Sequence, residues 1–102
     1  MNEAAQAIIH VVVRGRVQGV GYRAFVADEA WRRHIAGWVR NRRDGTVEAL
    51  FAGETETVEA MIAACRRGPL GARVEAIYQR TGEAAELAMR QPGEAFSVLA
   101  TA

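Results

Sequence analysis

The run Ala7-Ile8-Ile9-His10-Val11-Val12-Val13-Arg14 gives way abruptly to Gly15-Arg16-Val17-Gln18-Gly19-Val20-Gly21, and the chain then resumes with a different period. β-Branched residues of the first run suit a pleated strand, on which Ile9, Val11 and Val13 share one face. From Tyr22 to about Ile35 the apolar positions Tyr22, Phe25, Val26 and Ala30 form a helical stripe, with Asp28, Glu29, Arg32 and Arg33 largely off it. A strand, a glycine-rich loop and a helix therefore follow one another directly.

The same two periods return downstream. Trp38 to Arg42 and Thr46 to Ala52, the latter alternating through Val47, Ala49 and Phe51, flank Asp44-Gly45, which signals a hairpin. Val58, Met61, Ile62 and Cys65 keep helical spacing within residues 54–67, and Gly68-Pro69 stops that helix. A strand over about Ala72 to Gln79 and a last short strand from Phe96 to Ala100 complete the series. Residues 81–94 carry no clear period beyond a turn at Pro92-Gly93. The order βαββαβ predicts an α+β, ferredoxin-like sandwich in which an antiparallel sheet carries two helices on one face. With 102 residues the chain reads as one domain, 1–102, with residues 1–6 flexible.

Half the residues are hydrophobic and a quarter charged, the composition of a folded globular protein. A net charge of +1 gives little overall field, so any anion site must be local. All 13 basic residues are arginine. The absence of lysine excludes Schiff-base chemistry and a P-loop ammonium, and leaves planar guanidinium groups suited to oxyanions. One cysteine excludes an internal disulfide and fits a reducing compartment. The apolar run at 7–13 is short and interrupted by His10, so neither a signal peptide nor a membrane span is expected, and the sequence reads as cytoplasmic.

The glycine loop lacks every common nucleophile. Glycines at 15, 19 and 21 allow close backbone approach and positive φ, so that successive N–H groups can surround an anion. The helix that follows would aim its first-turn amides and positive dipole end at the same point, and Arg23 could add a bidentate contact. A tight turn with solvated arginines would use the same residues, and spacing alone leaves both readings open. The loop has neither the Lys-Ser/Thr pair of a Walker motif nor the dinucleotide glycine spacing.

Val13-Arg14-Gly15-Arg16-Val17-Gln18-Gly19-Val20-Gly21-Tyr22-Arg23 resembles the first signature of the acylphosphatases. Gly37-Trp38-Val39-Arg40-Asn41-Arg42-Arg43-Asp44-Gly45-Thr46-Val47, closing at Gly53, resembles the second. Gly68-Pro69, Ala72, Val74, Phe96 and Val98 extend the likeness over most of the chain. The resemblance implies hydrolysis of a carboxyl-phosphate anhydride to a carboxylate and inorganic phosphate, with no metal or cofactor. It implies that Arg23 and the loop of Arg16, Val17, Gln18, Gly19 and Val20 hold the phosphoryl group, and that Asn41 orients the attacking water. The expected partners are a small acyl phosphate and inorganic phosphate or a similar anion. A monomer is expected. RNA binding is disfavoured because the first strand has no aromatic platform and the charge is nearly balanced.

The chemistry suits such a loop. A departing carboxylate, whose conjugate acid has a pKa of about 4, needs no general acid at neutral pH. Phosphoryl transfer through a loose transition state asks mainly for positioning and charge stabilisation. Asparagine can hold water but cannot take its proton, so a phosphoryl oxygen is the expected acceptor.

Three departures from the family pattern stand out. Tyr22 replaces the more usual Phe, its hydroxyl expected to reach a polar partner. Arg33-His34 replaces Leu-Gly at the end of the first helix, and Leu99-Ala100-Thr101-Ala102 lacks a basic and aromatic finish. Elsewhere Cys65 reads as a core residue, Trp38 as a packing residue, and His10, His34 and the side chains of Arg16 and Gln18 as solvated.

Overall fold

Val11 and Val13 are almost wholly buried because their strand, β1 (Gln6–Arg16), lies inside the sheet and not at its edge. This computed structural model describes residues 5–102. After β1 come α1 (Tyr22–Arg32), β2 (Ala36–Asn41), β3 (Val47–Glu54), α2 (Thr55–Arg67), β4 (Arg73–Thr81), α3 (Ala84–Leu87) and β5 (Phe96–Val98). The sheet order is β4-β1-β3-β2-β5. The first four strands pair antiparallel, as the ferredoxin-like reading requires. The fifth joins β2 in parallel, Gly37 opposite Phe96 and Val39 opposite Val98, which makes the whole sheet mixed.

Against one face of the sheet, Tyr22, Val26 and Ala30 of α1 and Val58, Met61 and Cys65 of α2 meet Val11, Val13, Val39, Val47, Ala49 and Phe51. Phe51 and Phe96 stack there with ring centroids 6.2 Å apart. The stripes read from the sequence are the ones that enter this core. The first helix stops short of Ile35: Ile35 N–H donates to Ala30 O at 2.9 Å and His34 N–H to Trp31 O at 3.2 Å. That pair of bonds is a Schellman ending, and His34 takes its left-handed position with φ 55°.

The opposite face departs from the sequence reading. Alternation turns His10 away from the helices, but the segment after β4 crosses this second face and covers it. Trp38 and Leu50 are fully buried there, and His10 retains only 6% of its surface. Trp38 Nε1 donates to the Glu86 carbonyl at 2.8 Å. Gly82 lies so close that a Cβ would sit 2.7 Å from Leu50 and 2.8 Å from Ile8. His10 is therefore not solvated; its Nε2 lies 2.7 Å from Glu48 Oε2, and Arg40 Nε donates to Glu48 Oε1 at 2.6 Å.

Gln6 already pairs with Glu54, and Thr55 N–H donates to Ala5 O at 2.8 Å. The loose stretch expected over residues 1–6 thus excludes 5 and 6, and its remainder, residues 1–4, lies outside the described residues. Among the described residues no helix is long and apolar enough to cross a membrane.

Candidate active site

The site begins where β1 leaves the sheet. Gly15 sits at a register shift against β4 with φ 135°, and a Cβ there would fall 2.1 Å from Arg73 O. Its close approach serves the neighbouring strand and not an anion cradle, which corrects the role expected for it. Gly19 and Gly21 have φ of 73° and 77°, with open space around each, so backbone conformation is what demands glycine at both. Gly21 caps α1 without a side-chain bond, and its carbonyl accepts from Phe25 N–H at 3.0 Å. The amides of Tyr22, Arg23 and Ala24 belong to the first turn and have no intrahelical acceptor. No acidic side chain sits in that turn to compete for them.

Facing the loop is the end of β2. Val17, Gln18, Gly19, Gly21, Tyr22, Arg23 and Ala24 on one side and Asn41 and Val98 on the other line a cleft of about 330 Å³, at the small end of ligand sites. Arg23 and Asn41, the two side chains singled out in the sequence, line it together. Of the loop positions expected to hold phosphate, Val17, Gln18 and Gly19 are in the lining. Arg16 and Val20 are not: Arg16 still pairs with Arg73 in the sheet, and Val20 packs against the core.

The side chain of Gln18 also differs from expectation. It is not solvated; its Nε2 donates to Arg42 O and Thr46 O, each at 2.8 Å. These carbonyls bound the hairpin turn, where Arg42 N–H donates to Thr46 O at 2.9 Å. Within the turn Asp44 Oδ1 accepts from Thr46 Oγ1 at 2.6 Å and from Thr46 N–H at 2.9 Å, which holds its carboxyl below the usual range.

Asn41 is fixed by its backbone on both sides, through pairing with Val47 and through Ala102 N–H, which donates to Asn41 O at 3.0 Å. Its Oδ1 is buried, and among the described residues no group donates a hydrogen bond to it. A buried acceptor left without a protein donor normally signals a ligand or an ordered water. Val98, missed in the sequence, reaches the cleft because β5 lies beside β2. The short strand was legible, but nothing in its residues named its neighbour.

Among the described residues of the lining, Arg23 is the only charged side chain, and none is a carboxylate, imidazole or thiol. Tyr22 is the other titratable group, but burial pushes its phenol far above the ordinary value, and its hydroxyl donates to Cys65 O at 2.8 Å. Cys65 is buried in the core, as expected, and burial raises its thiol to about 12. Among the described residues no three His, Cys, Asp or Glu side chains gather to hold a metal ion.

The architecture is an α+β sandwich with a polar cleft between a strand-to-helix loop and a neighbouring strand end. Against known proteins, the family model for acylphosphatase matches residues 9–90. An acylphosphatase of Rhodopseudomonas palustris strain BisB18 is 58% identical over 91 residues, 89% of this chain and 92% of its own. One from Bradyrhizobium diazoefficiens is 55% identical over 97 residues, 95% of this chain and 98% of its own. The crystal structure of acylphosphatase from Bacillus subtilis superposes with a TM-score of 0.78 at 34% identity, covering 93% of this chain and 99% of that one. The chain belongs to the acylphosphatase family, and it is a hydrolase of acyl phosphates.

Proposed function

We propose that the chain hydrolyses acyl phosphates by in-line attack of a water oriented by Asn41 on a phosphoryl group held by Arg23 and the amides of the loop and first helical turn. The observation that carries this reading is the buried Oδ1 of Asn41, which has no donor among the described residues and lines the same cleft as Arg23 and Gly19. Such an oxygen accepts a hydrogen from water and leaves a lone pair of that water free to approach phosphorus.

As the new P–O bond forms, the bond to the acyl oxygen breaks and its electron pair leaves on the carboxylate. That group is stable as an anion, so the cleft's lack of a carboxylic acid or imidazole costs nothing. The water's proton passes to a phosphoryl oxygen, since no lining side chain can take it. Charge on the equatorial oxygens is met by preorganised N–H groups and the Arg23 fork. Because the lining grips the phosphoryl end, the substrate class is set by the leaving group and not by a particular acyl chain.

The test is turnover of benzoyl phosphate beside an ordinary phosphate monoester, for the wild type, Arg23→Ala, Arg23→Lys and Asn41→Ala. Asn41→Ala should lose on the order of 10²-fold or more in kcat while inorganic phosphate still inhibits. Arg23→Ala should lose about 10³-fold, with Lys restoring only part because a point charge lacks the fork. Comparable hydrolysis of the monoester, or undiminished kcat in Asn41→Ala, would sink the mechanism.

A further inference from the structure

One primary amide bridges the two halves of the cleft. Gln18 Nε2 carries two hydrogens and makes two donations, to Arg42 O and Thr46 O. The loop that bears it contributes Val17, Gln18 itself, Gly19 and Gly21 to the cleft, while Arg42 is the residue immediately after Asn41. A side chain of the loop is therefore bonded to the carbonyl of the residue that directly follows the proposed water-holding residue. Two bonds from one planar group, to carbonyls at the two ends of the hairpin turn, restrict rotation as well as distance. The hairpin has its own reason to keep this shape, since Arg42 N–H closes onto the same Thr46 carbonyl.

In-line attack makes that coupling matter. The water held by Asn41 must stand about 3 Å from phosphorus and opposite the leaving oxygen, and a misplacement of about 1 Å can cost on the order of 10²-fold. Arg23 and the first-turn amides fix the phosphoryl group to α1, whereas Asn41 belongs to β2. We infer that Gln18 is a positioning residue: its side chain sets the separation between the loop and Asn41, and so aligns water with phosphorus without touching either. This inference rests on the role proposed above for Asn41.

The test compares wild type, Gln18→Met, Gln18→Ala, Asn41→Ala and Gln18→Met/Asn41→Ala. Each is assayed for benzoyl phosphate turnover and for inhibition by inorganic phosphate, which probes the cradle alone. Methionine keeps the length of the side chain and removes both donors, and Ala provides a second variant if one of the pair folds poorly in a thermal melt. Both single variants at 18 should lose about 10- to 100-fold in kcat, with inhibition by phosphate within about threefold of wild type. In the Asn41→Ala background, Gln18→Met should cost less than about threefold more, because the group it aligns is gone. Wild-type kcat in Gln18→Met, or parallel loss of kcat and phosphate inhibition, would overturn the positioning role. So would independent, multiplying losses in the double variant while Asn41→Ala alone is crippled. Full turnover in Asn41→Ala would instead overturn the reading of Asn41, and this inference with it.

Discussion

The hydroxyl of Tyr22 donates to the carbonyl of Cys65 at 2.8 Å, joining the first residue of α1 to the last turn of α2. In an uninterrupted helix that carbonyl would accept from the residue four places on, but here that residue is Pro69, which has no N–H. The phenol thus fills a bond that the sequence itself removes. Tyr22→Phe should leave a buried acceptor unpaired and cost about 1–2 kcal/mol. For a domain of this size that is a fall in Tm of roughly 5–15 °C. Calorimetry on the two proteins decides it, and an unchanged Tm would mean that Cys65 O finds another donor.

The same region makes Cys65 inert. Its thiol is buried and its pKa is pushed up to about 12 by that burial, so little thiolate exists at neutral pH. An aromatic disulfide reagent should label the native protein only as fast as it opens, and label it at once in denaturant. Rapid stoichiometric labelling under native conditions would contradict the packing described.

Acid should weaken the fold through its second face. Burial alone would raise the carboxyl of Glu48, but hydrogen bonds from His10 on β1 and Arg40 on β2 prevail and hold it below the ordinary value. Glu86 is lowered to about 2, first by the bidentate contact with Arg80. A carboxyl depressed in the folded state binds fewer protons there than in the unfolded chain. Its stabilisation is present above the unfolded value and disappears as pH falls through the folded one. Urea midpoints should therefore drop as pH falls from about 4.5 toward 2, and Glu48→Gln should flatten part of that decline. Equal midpoints at pH 5 and pH 3 would rule it out.

The parts that were legible in the sequence are those that repeat. Val11 and Val13, or Val58, Met61 and Cys65, announce their elements because a buried face recurs at a fixed period. Trp38 and Leu50 are as deeply buried, yet they sit on strands buried on both faces, where alternation carries no information about the second face. Their cover is a segment whose only helix has four residues, too short for a period to register. In the site, Arg23 and Asn41 stood out through two long signatures. The work of Gln18's side chain did not, because its acceptors are backbone carbonyls 24 and 28 residues away, which any residue supplies. Val98 escaped for a related reason, since pairing between β2 and β5 is set by the path of the chain after β4 and not by either strand's composition.

The left-handed residue at the end of α1 offers a gain in stability. His34 has φ 55° and donates its amide to Trp31 O, while Ile35 donates to Ala30 O, so the turn requires this conformation whichever residue stands there. An L-residue with a Cβ pays about 1–2 kcal/mol in that region, and glycine does not. Glycine in turn gives the unfolded chain more freedom, which returns part of the difference. The imidazole is exposed and lines no part of the cleft, so its removal sacrifices little. His34→Gly should therefore stabilise by about 0.5–1 kcal/mol, a rise in Tm of roughly 3–6 °C, with kcat for benzoyl phosphate unchanged. His34→Val should move Tm the other way, because a β-branched side chain tolerates positive φ least. A fall in Tm for the glycine variant would show that the imidazole makes a compensating contact at the helix end.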